Sequence, residues 1–257
     1  MYFTHENITL YYEKYGNGKK TIIILPGWGE TRSTFNYMIN FLKSYFTVYI
    51  LDYPGFGNSP FPESDLTIYD YTEAIYQWIL SISDHNAILI GHSFGGRIIT
   101  LLTGYYHYSF SNIILIDSAG IKPKKTLKSR LRIFSYKLLK KLINILPKSK
   151  KNLYQKKLFN HFASSDYQNL NPKMMQTFKN IINEDLKPYL KYIKAKVLLI
   201  WGSSDESTPV KDAYVMNKLI KNSELIILEG ANHFPYLQRP NLINSIIFEQ
   251  LKDEINN

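Results

Sequence analysis

The sequence predicts a doubly wound α/β sheet interrupted by an all-helical insertion, and three observations carry that prediction. Short apolar, β-branched runs recur at residues 21–25, 46–51, 87–90, 113–117, 196–202 and 224–228, as expected of strands buried on both faces of a parallel sheet. Segments with helical spacing separate them. The alternation stops between residues 121 and 194, where only helical patterns are found. At 257 residues the chain can bury about 70–75% of its unfolded surface, enough for one large core with an insertion.

Taken in order, residues 3–5 and 8–15 alternate as a starting pair of strands, and Gly16-Asn17-Gly18 turns the chain out of them. The run 21–25 ends in Pro26-Gly27-Trp28-Gly29. Phe35, Met38, Ile39 and Leu42 then form a helical stripe within 33–42. After the run 46–51 comes Asp52-Tyr53-Pro54-Gly55-Phe56-Gly57-Asn58-Ser59, a loop dense in turn formers. A helix over 68–82 follows from Tyr71, Ile75, Trp78, Ile79 and Ile82. In the insertion, Leu127, Leu131, Phe134, Leu138 and Leu142 predict a helix that Pro147 stops, with further helices near 153–162 and 174–182. A last helix over 242–251 closes the pattern.

The central stretch is Gly91-His92-Ser93-Phe94-Gly95, between the run 87–90 and an apolar helical segment. A G-x-S-x-G pattern is common by chance, but a strand before it and a helix after it are the context it needs as a nucleophile elbow. A serine hydroxyl is a weak nucleophile and has to project towards a base and a substrate. A tight strand-to-helix turn does this, with glycines two residues to either side where a Cβ would clash. Phe94 opens the helix, so its N–H is an unpaired donor at a positive helix end, suited to an oxyanion.

In open α/β sheets ligands bind at the carboxyl ends of strands, so a base and an acid for Ser93 are expected just past strand-like runs. Of the six histidines, His5 lies in the first strand and His85 precedes one. His92 sits within the elbow, which turns its side chain away from the base position, His107 follows the helix and His161 lies in the insertion. His233 alone follows a strand and a Gly-Ala-Asn turn. Asp205, past the run 196–202, is the expected acid that holds the imidazole tautomer. Asp117 is its rival, with Glu206 and Asp52 as weaker alternatives, Asp52 being expected to tie down its own Pro-Gly loop.

The order Ser, Asp, His and five motifs resemble the α/β-hydrolase fold superfamily over nearly the whole chain. Leu25-Pro26-Gly27-Trp28-Gly29 looks like its oxyanion loop, the stretch from Asp52 to Ser59 like its D-x-x-G-x-G-x-S loop, and Gly91 to Gly96 like its elbow. Trp201-Gly202-Ser203-Ser204-Asp205 with Pro209 looks like its acid motif, and Gly230-Ala231-Asn232-His233 with Pro240 like its histidine motif. The resemblance implies a mostly parallel eight-stranded sheet, with the core in residues 1–120 and 195–257 and a helical cap in 121–194. It makes the N–H of Trp28 the second oxyanion donor beside that of Phe94, and places Gly27, His92 and Phe234 along the substrate. Pro26 stands where the family usually has histidine. Proline stiffens the turn, so the oxyanion hole is expected to persist.

The resemblance implies a serine hydrolase of carboxylic esters or thioesters, with no metal or organic cofactor. A serine at the elbow argues against the dehalogenase and epoxide hydrolase branches, which attack through aspartate. Alternatives on the same fold are hydrolysis of a carbon–carbon bond in a vinylogous diketone and a slow-turnover ligand sensor. Residues 166–169 and 183–186 look like cap segments of the esterase and carbon–carbon hydrolase branches. The absence of cysteine suits a reducing compartment, and Met1 to Glu6 lacks the basic and apolar regions of a secretory signal; a cytoplasmic setting is expected.

The net charge of +10 comes from one segment. Residues 121–165 hold fourteen Lys or Arg and no Asp or Glu; set aside, they leave fewer basic than acidic residues elsewhere. Three readings fit this segment: a solvated outer face, a membrane-surface helix with Leu and Phe on one stripe, or attraction of an anionic substrate. No motif supports nucleic-acid binding.

Overall fold

A computed structural model describes the chain except for residues 84–86, 123–126, 146, 163–169 and 256–257. Its described residues form two compact units, one of 1–122 with 180–257 and one of 123–179.

The first unit is built on an eight-stranded sheet in the order β1-β2-β4-β3-β5-β6-β7-β8. The strands are β1 (Tyr2–His5), β2 (Ile8–Tyr15), β3 (Thr21–Leu25), β4 (Thr47–Asp52), β5 (Ile88–His92), β6 (Asn112–Ile116), β7 (Lys196–Gly202) and β8 (Ser223–Leu228). β1 and β2 pair antiparallel, as do β2 and β4; every other pairing is parallel. Side-chain alternation splits the central strands between two cores. Ile23, Leu25, Leu51, Leu89, Leu115 and Leu199 face one core, with the helices α2 (Ile68–Ile82) and α3 (Phe94–Thr100). Ile22, Ile24, Ile50, Ile88, Ile90, Ile114 and Ile116 face the other, with α1 (Asn36–Leu42) and the C-terminal helix of Pro240–Ile255. Both faces are apolar because both are covered, which is why these strands read as continuous runs rather than as alternation.

α2 is capped by Thr67, whose hydroxyl accepts from the Asp70 N–H while the Asp70 carboxylate accepts from the Thr67 N–H at 2.6 Å, a reciprocal cap. The helix expected over 33–42 divides into a 3-10 turn (Arg32–Phe35) and α1, and α3 widens into a π-helical turn over Leu101–Tyr105. Asp52 ties down its loop as expected. Its carboxylate accepts from the N–H groups of Arg32 (3.2 Å) and Asn58 (2.9 Å), and a Cβ at Gly57 would meet it at 2.1 Å.

The second unit contains α4 (Leu127–Asn144), α5 (Lys148–Phe162), which packs on α4, and a 3-10 turn (Pro172–Met174) leading into α6 (Met175–Asn183), whose residues from 180 on belong to the first unit. Gln155 donates to the Asn144 side chain across α4 and α5 at 3.1 Å. This unit is shorter than the expected insertion of 121–194, because residues 180–194 belong with the sheet. Leu186, Leu190 and Ile193 are buried in its first core, the Leu186 N–H donates to the Gly120 carbonyl (2.8 Å), and buried Arg97 of α3 donates to the Glu184 carbonyl (3.0 Å). Burial pulls the Arg97 guanidinium down to about 10, against the charges of Asp185 and Glu184, which hold it up. Of the motif segments, 166–169 lies outside the described residues, as does His85. Among the described residues no helix is long and apolar enough to cross a membrane.

Candidate active site

Ser93 stands between β5 and α3 with φ of +45°, a left-handed conformation that few residues other than glycine adopt. Close packing enforces it: a Cβ on Gly95 would meet the Leu25 carbonyl oxygen at 1.9 Å, and one on Gly91 would meet the α3 backbone at 2.9 Å. The Ser93 N–H donates to the Ile116 carbonyl (3.2 Å), and the Ala119 N–H donates to the Ser93 carbonyl (3.0 Å), so β6 braces the turn. Phe94 occupies the first position of α3, where a backbone N–H has no intrahelical acceptor.

His233 lies in the turn after β8 and Asp205 in the turn after β7, both at carboxyl ends of strands. His233 Nδ1 is 2.7 Å from Asp205 Oδ2. A carboxylate only accepts, so Nδ1 carries the proton and Nε2 is left as the basic nitrogen. Asp205 Oδ1 accepts from the N–H groups of Ser207 (2.7 Å) and Thr208 (3.0 Å), and Oδ2 accepts from the Thr208 hydroxyl (2.6 Å). Burial pushes the Asp205 carboxyl up, but His233 and Thr208 outweigh it and hold it down at about 2. Thr208 escaped the sequence reading, although an aspartate followed by Ser-Thr-Pro two to four residues on is the pattern of a side chain bonding its own turn.

Asp117, the rival acid, has no such contact with His233. Its Oδ1 accepts from the Gly202 N–H at 2.9 Å. Burial first, and the neighbouring Asp205 carboxylate after it, push it up to about 9 against that N–H. Between its ordinary value of 3.8 and about 9, the folded protein holds a proton on Asp117 that the unfolded chain has released. Stability therefore falls as pH rises across that window. Asp117→Asn removes this dependence. Urea unfolding is expected to show the variant gaining on the parent as pH rises towards 9, by at most about 1.4 kcal/mol per pH unit.

A second buried network lies behind the loop of Pro26 to Gly29. The Glu30 carboxylate accepts from the Gly27 N–H and the Tyr236 hydroxyl, and its Oε2 is 2.9 Å from His92 Nδ1. His92 Nε2 is 2.8 Å from the His233 carbonyl, which can only accept, so Nε2 carries a proton. Glu30 and the His233 carbonyl thus hold the His92 ring from both of its nitrogens. Burial pushes the Glu30 carboxyl up, but His92 and the three hydrogen bonds bring it below the usual carboxylate range. His92 is thus not a substrate-lining residue as expected: it is 1% exposed, and both ring nitrogens are engaged. Gly27 is buried against the same pair, where a Cβ would meet Glu30 at 2.7 Å and His92 at 2.8 Å. Phe234 is 37% exposed beside the His233 ring, at 5.2 Å between centroids.

This network supplies what Pro26 cannot. The Pro26 carbonyl accepts from the Gly95 N–H (2.9 Å), joining loop to elbow, and Glu30 fixes Gly27 from three residues on. Trp28 packs edge-on to Phe94 and Phe56, at 5.3 and 4.9 Å between ring centroids. Glu30→Ala leaves a His92 ring nitrogen, the Tyr236 hydroxyl and the Gly27 N–H without that carboxylate. It is expected to cost about 3 kcal/mol of stability, read from the denaturant midpoint.

A sequence model of the alpha/beta hydrolase fold matches residues 20–240. The pimeloyl-[acyl-carrier protein] methyl ester esterase of Wigglesworthia glossinidia brevipalpis is 32% identical over 256 residues, covering 90% of this chain and 93% of its own. The uncharacterized hydrolase YugF of Bacillus subtilis is 26% identical over 269 residues, covering 97% of each. Among solved structures, the enol-lactonase of Burkholderia xenovorans LB400 superposes with a TM-score of 0.74 at 18% identity, covering 98% of this chain and 100% of that one. The extent of the match and the sheet order agree, and the chain belongs to the alpha/beta hydrolase fold family as an esterase-like hydrolase.

Proposed function

We propose that the protein hydrolyses carboxylic esters of small to medium acyl groups through an acyl-enzyme on Ser93. The observation that carries this reading is the 2.7 Å hydrogen bond from His233 to Asp205, which leaves Nε2 basic on the turn that His92 joins to the Ser93 elbow. Ser93 Oγ attacks the ester carbonyl carbon and passes its proton to His233 Nε2. The backbone N–H groups of Trp28 and Phe94 receive the charge on the carbonyl oxygen. Collapse of the tetrahedral intermediate breaks the bond to the alcohol, which takes the proton from His233. Water, deprotonated by His233, then attacks the acyl carbon; the bond to Ser93 Oγ breaks, Oγ takes the proton back from His233, and the acid is released. Asp205 stays ionised and stabilises the imidazolium in both steps.

Trp28 and Phe56, both part-exposed and packed edge-on, supply an aromatic wall beside the loop, suited to an acyl chain. The relative from Wigglesworthia is named for a methyl ester of an acyl chain, which favours a small alcohol as leaving group. The helical segment is assigned the role of a cap that selects the substrate, and the activity is placed in the cytoplasm, in keeping with a chain free of cysteine. Hydrolysis of p-nitrophenyl esters of increasing chain length tests the reading. Turnover with an optimum length supports it; tight binding of ligands without turnover would point to a sensor instead.

A further inference from the structure

α4 carries an exposed apolar stripe. Leu131, Phe134, Leu138, Leu142 and Ile145, spaced by three and four residues along one side of the helix and just past it, are all exposed: Leu131 by 60%, Phe134 by 65% and Ile145 by 77%. Leu153 and Tyr154 of α5 are exposed as well. Lys137 and Lys141, exposed, stand one position before Leu138 and Leu142, about 100° round the helix on the flank of the stripe. Lys150 and Lys157 of α5 are exposed too. The whole stretch of 121–165 contains fourteen basic and no acidic residues.

We infer that α4 and α5 dock the protein on an anionic membrane surface, with the stripe buried among acyl chains and the lysines among headgroups. A merely solvated face does not line up five exposed apolar side chains, since contiguous apolar patches mark interaction surfaces. Capture of a small anion needs the lysines but gives the stripe no role. A bilayer interface engages both: apolar side chains sink below the headgroups while long lysine stems reach back to anionic phosphates. The helix lies on the membrane and does not cross it, because among the described residues no helix is long and apolar enough to span.

The test is flotation of the purified 257-residue protein with phosphatidylcholine vesicles, alone and with phosphatidylglycerol added. Binding at least about tenfold stronger to the anionic vesicles, weakened by salt, is expected. Phe134→Ser with Leu138→Ser is expected to lower that partitioning about tenfold with the unfolding midpoint unchanged, and Lys137→Glu with Lys141→Glu to remove the preference for phosphatidylglycerol. The inference is overturned by equal partitioning to both vesicles, or by no binding to either. It is also overturned by a dimer in sedimentation that the Ser variant splits, which would make the stripe a contact between copies. Binding to an acidic protein or polyphosphate that the Ser variant retains in full would likewise assign the lysines to a soluble polyanion.

Discussion

Ser93→Ala is expected to lower kcat for a p-nitrophenyl ester by about 10⁴- to 10⁶-fold, with the unfolding midpoint and ligand affinity close to those of the parent. In the proposed mechanism the hydroxyl oxygen forms the covalent bond that divides one difficult step into two, and no neighbouring group replaces it. The loss corresponds to about 5–8 kcal/mol of transition-state stabilisation. The activity left over should come from the Trp28 and Phe94 donors acting on a directly attacking water. The fold has little reason to suffer. Ser93 is held by its main chain, through Ile116 and Ala119, and alanine keeps those bonds. A variant that retains more than a few per cent of the parent turnover would require another nucleophile.

The second large effect concerns the acid. Asp205→Asn presents an amide to His233 Nδ1, and an amide nitrogen turned towards the ring favours the tautomer with Nε2 protonated, which cannot take the Ser93 proton. A fall in kcat of about 10³- to 10⁴-fold is expected, larger at neutral pH than at high pH. The backbone N–H groups of Ser207 and Thr208 donate to the other side-chain oxygen, which the amide keeps, so the loss should appear in kcat far more than in KM. Asp117→Asn, whose carboxyl the fold already keeps neutral to about pH 9, is expected to change kcat much less. Equal losses from the two substitutions would make Asp117 an essential part of the machinery and contradict the assignment of Asp205.

The contrast between these two aspartates also shows where sequence reasoning stops. Both follow buried strands, β6 and β7, and both fit a rule that places functional groups at strand ends. Separating them on the residues alone was a matter of position within a motif, whereas the structure separates them by one hydrogen bond and by opposite displacement of their carboxyl groups. The sheet was legible because its strands are buried on both faces and announce themselves as runs of Ile, Val and Leu, and the elbow because tight backbone packing demands glycine at fixed offsets. The Glu30–His92–Tyr236 network was not: its members are 62 and 206 residues from Glu30, and a lone glutamate after Gly29 has no local signature. The end of the helical insertion was misplaced for a related reason. The periodicity that reveals Leu186 and Leu190 as apolar says nothing of which core they enter, and they enter that of the sheet.

The most direct test of the central claim is to trap the acyl-enzyme analogue. The parent protein would be treated with a fluorophosphonate ester and the modified peptide sequenced by mass spectrometry, with Ser93→Ala and Asp205→Asn treated in parallel. One stoichiometric adduct on Ser93 oxygen is expected, with loss of ester turnover in step with labelling, no adduct in Ser93→Ala and slow labelling in Asp205→Asn. Full esterase activity surviving without an adduct, or an adduct on another residue that tracks the loss of activity, would contradict it.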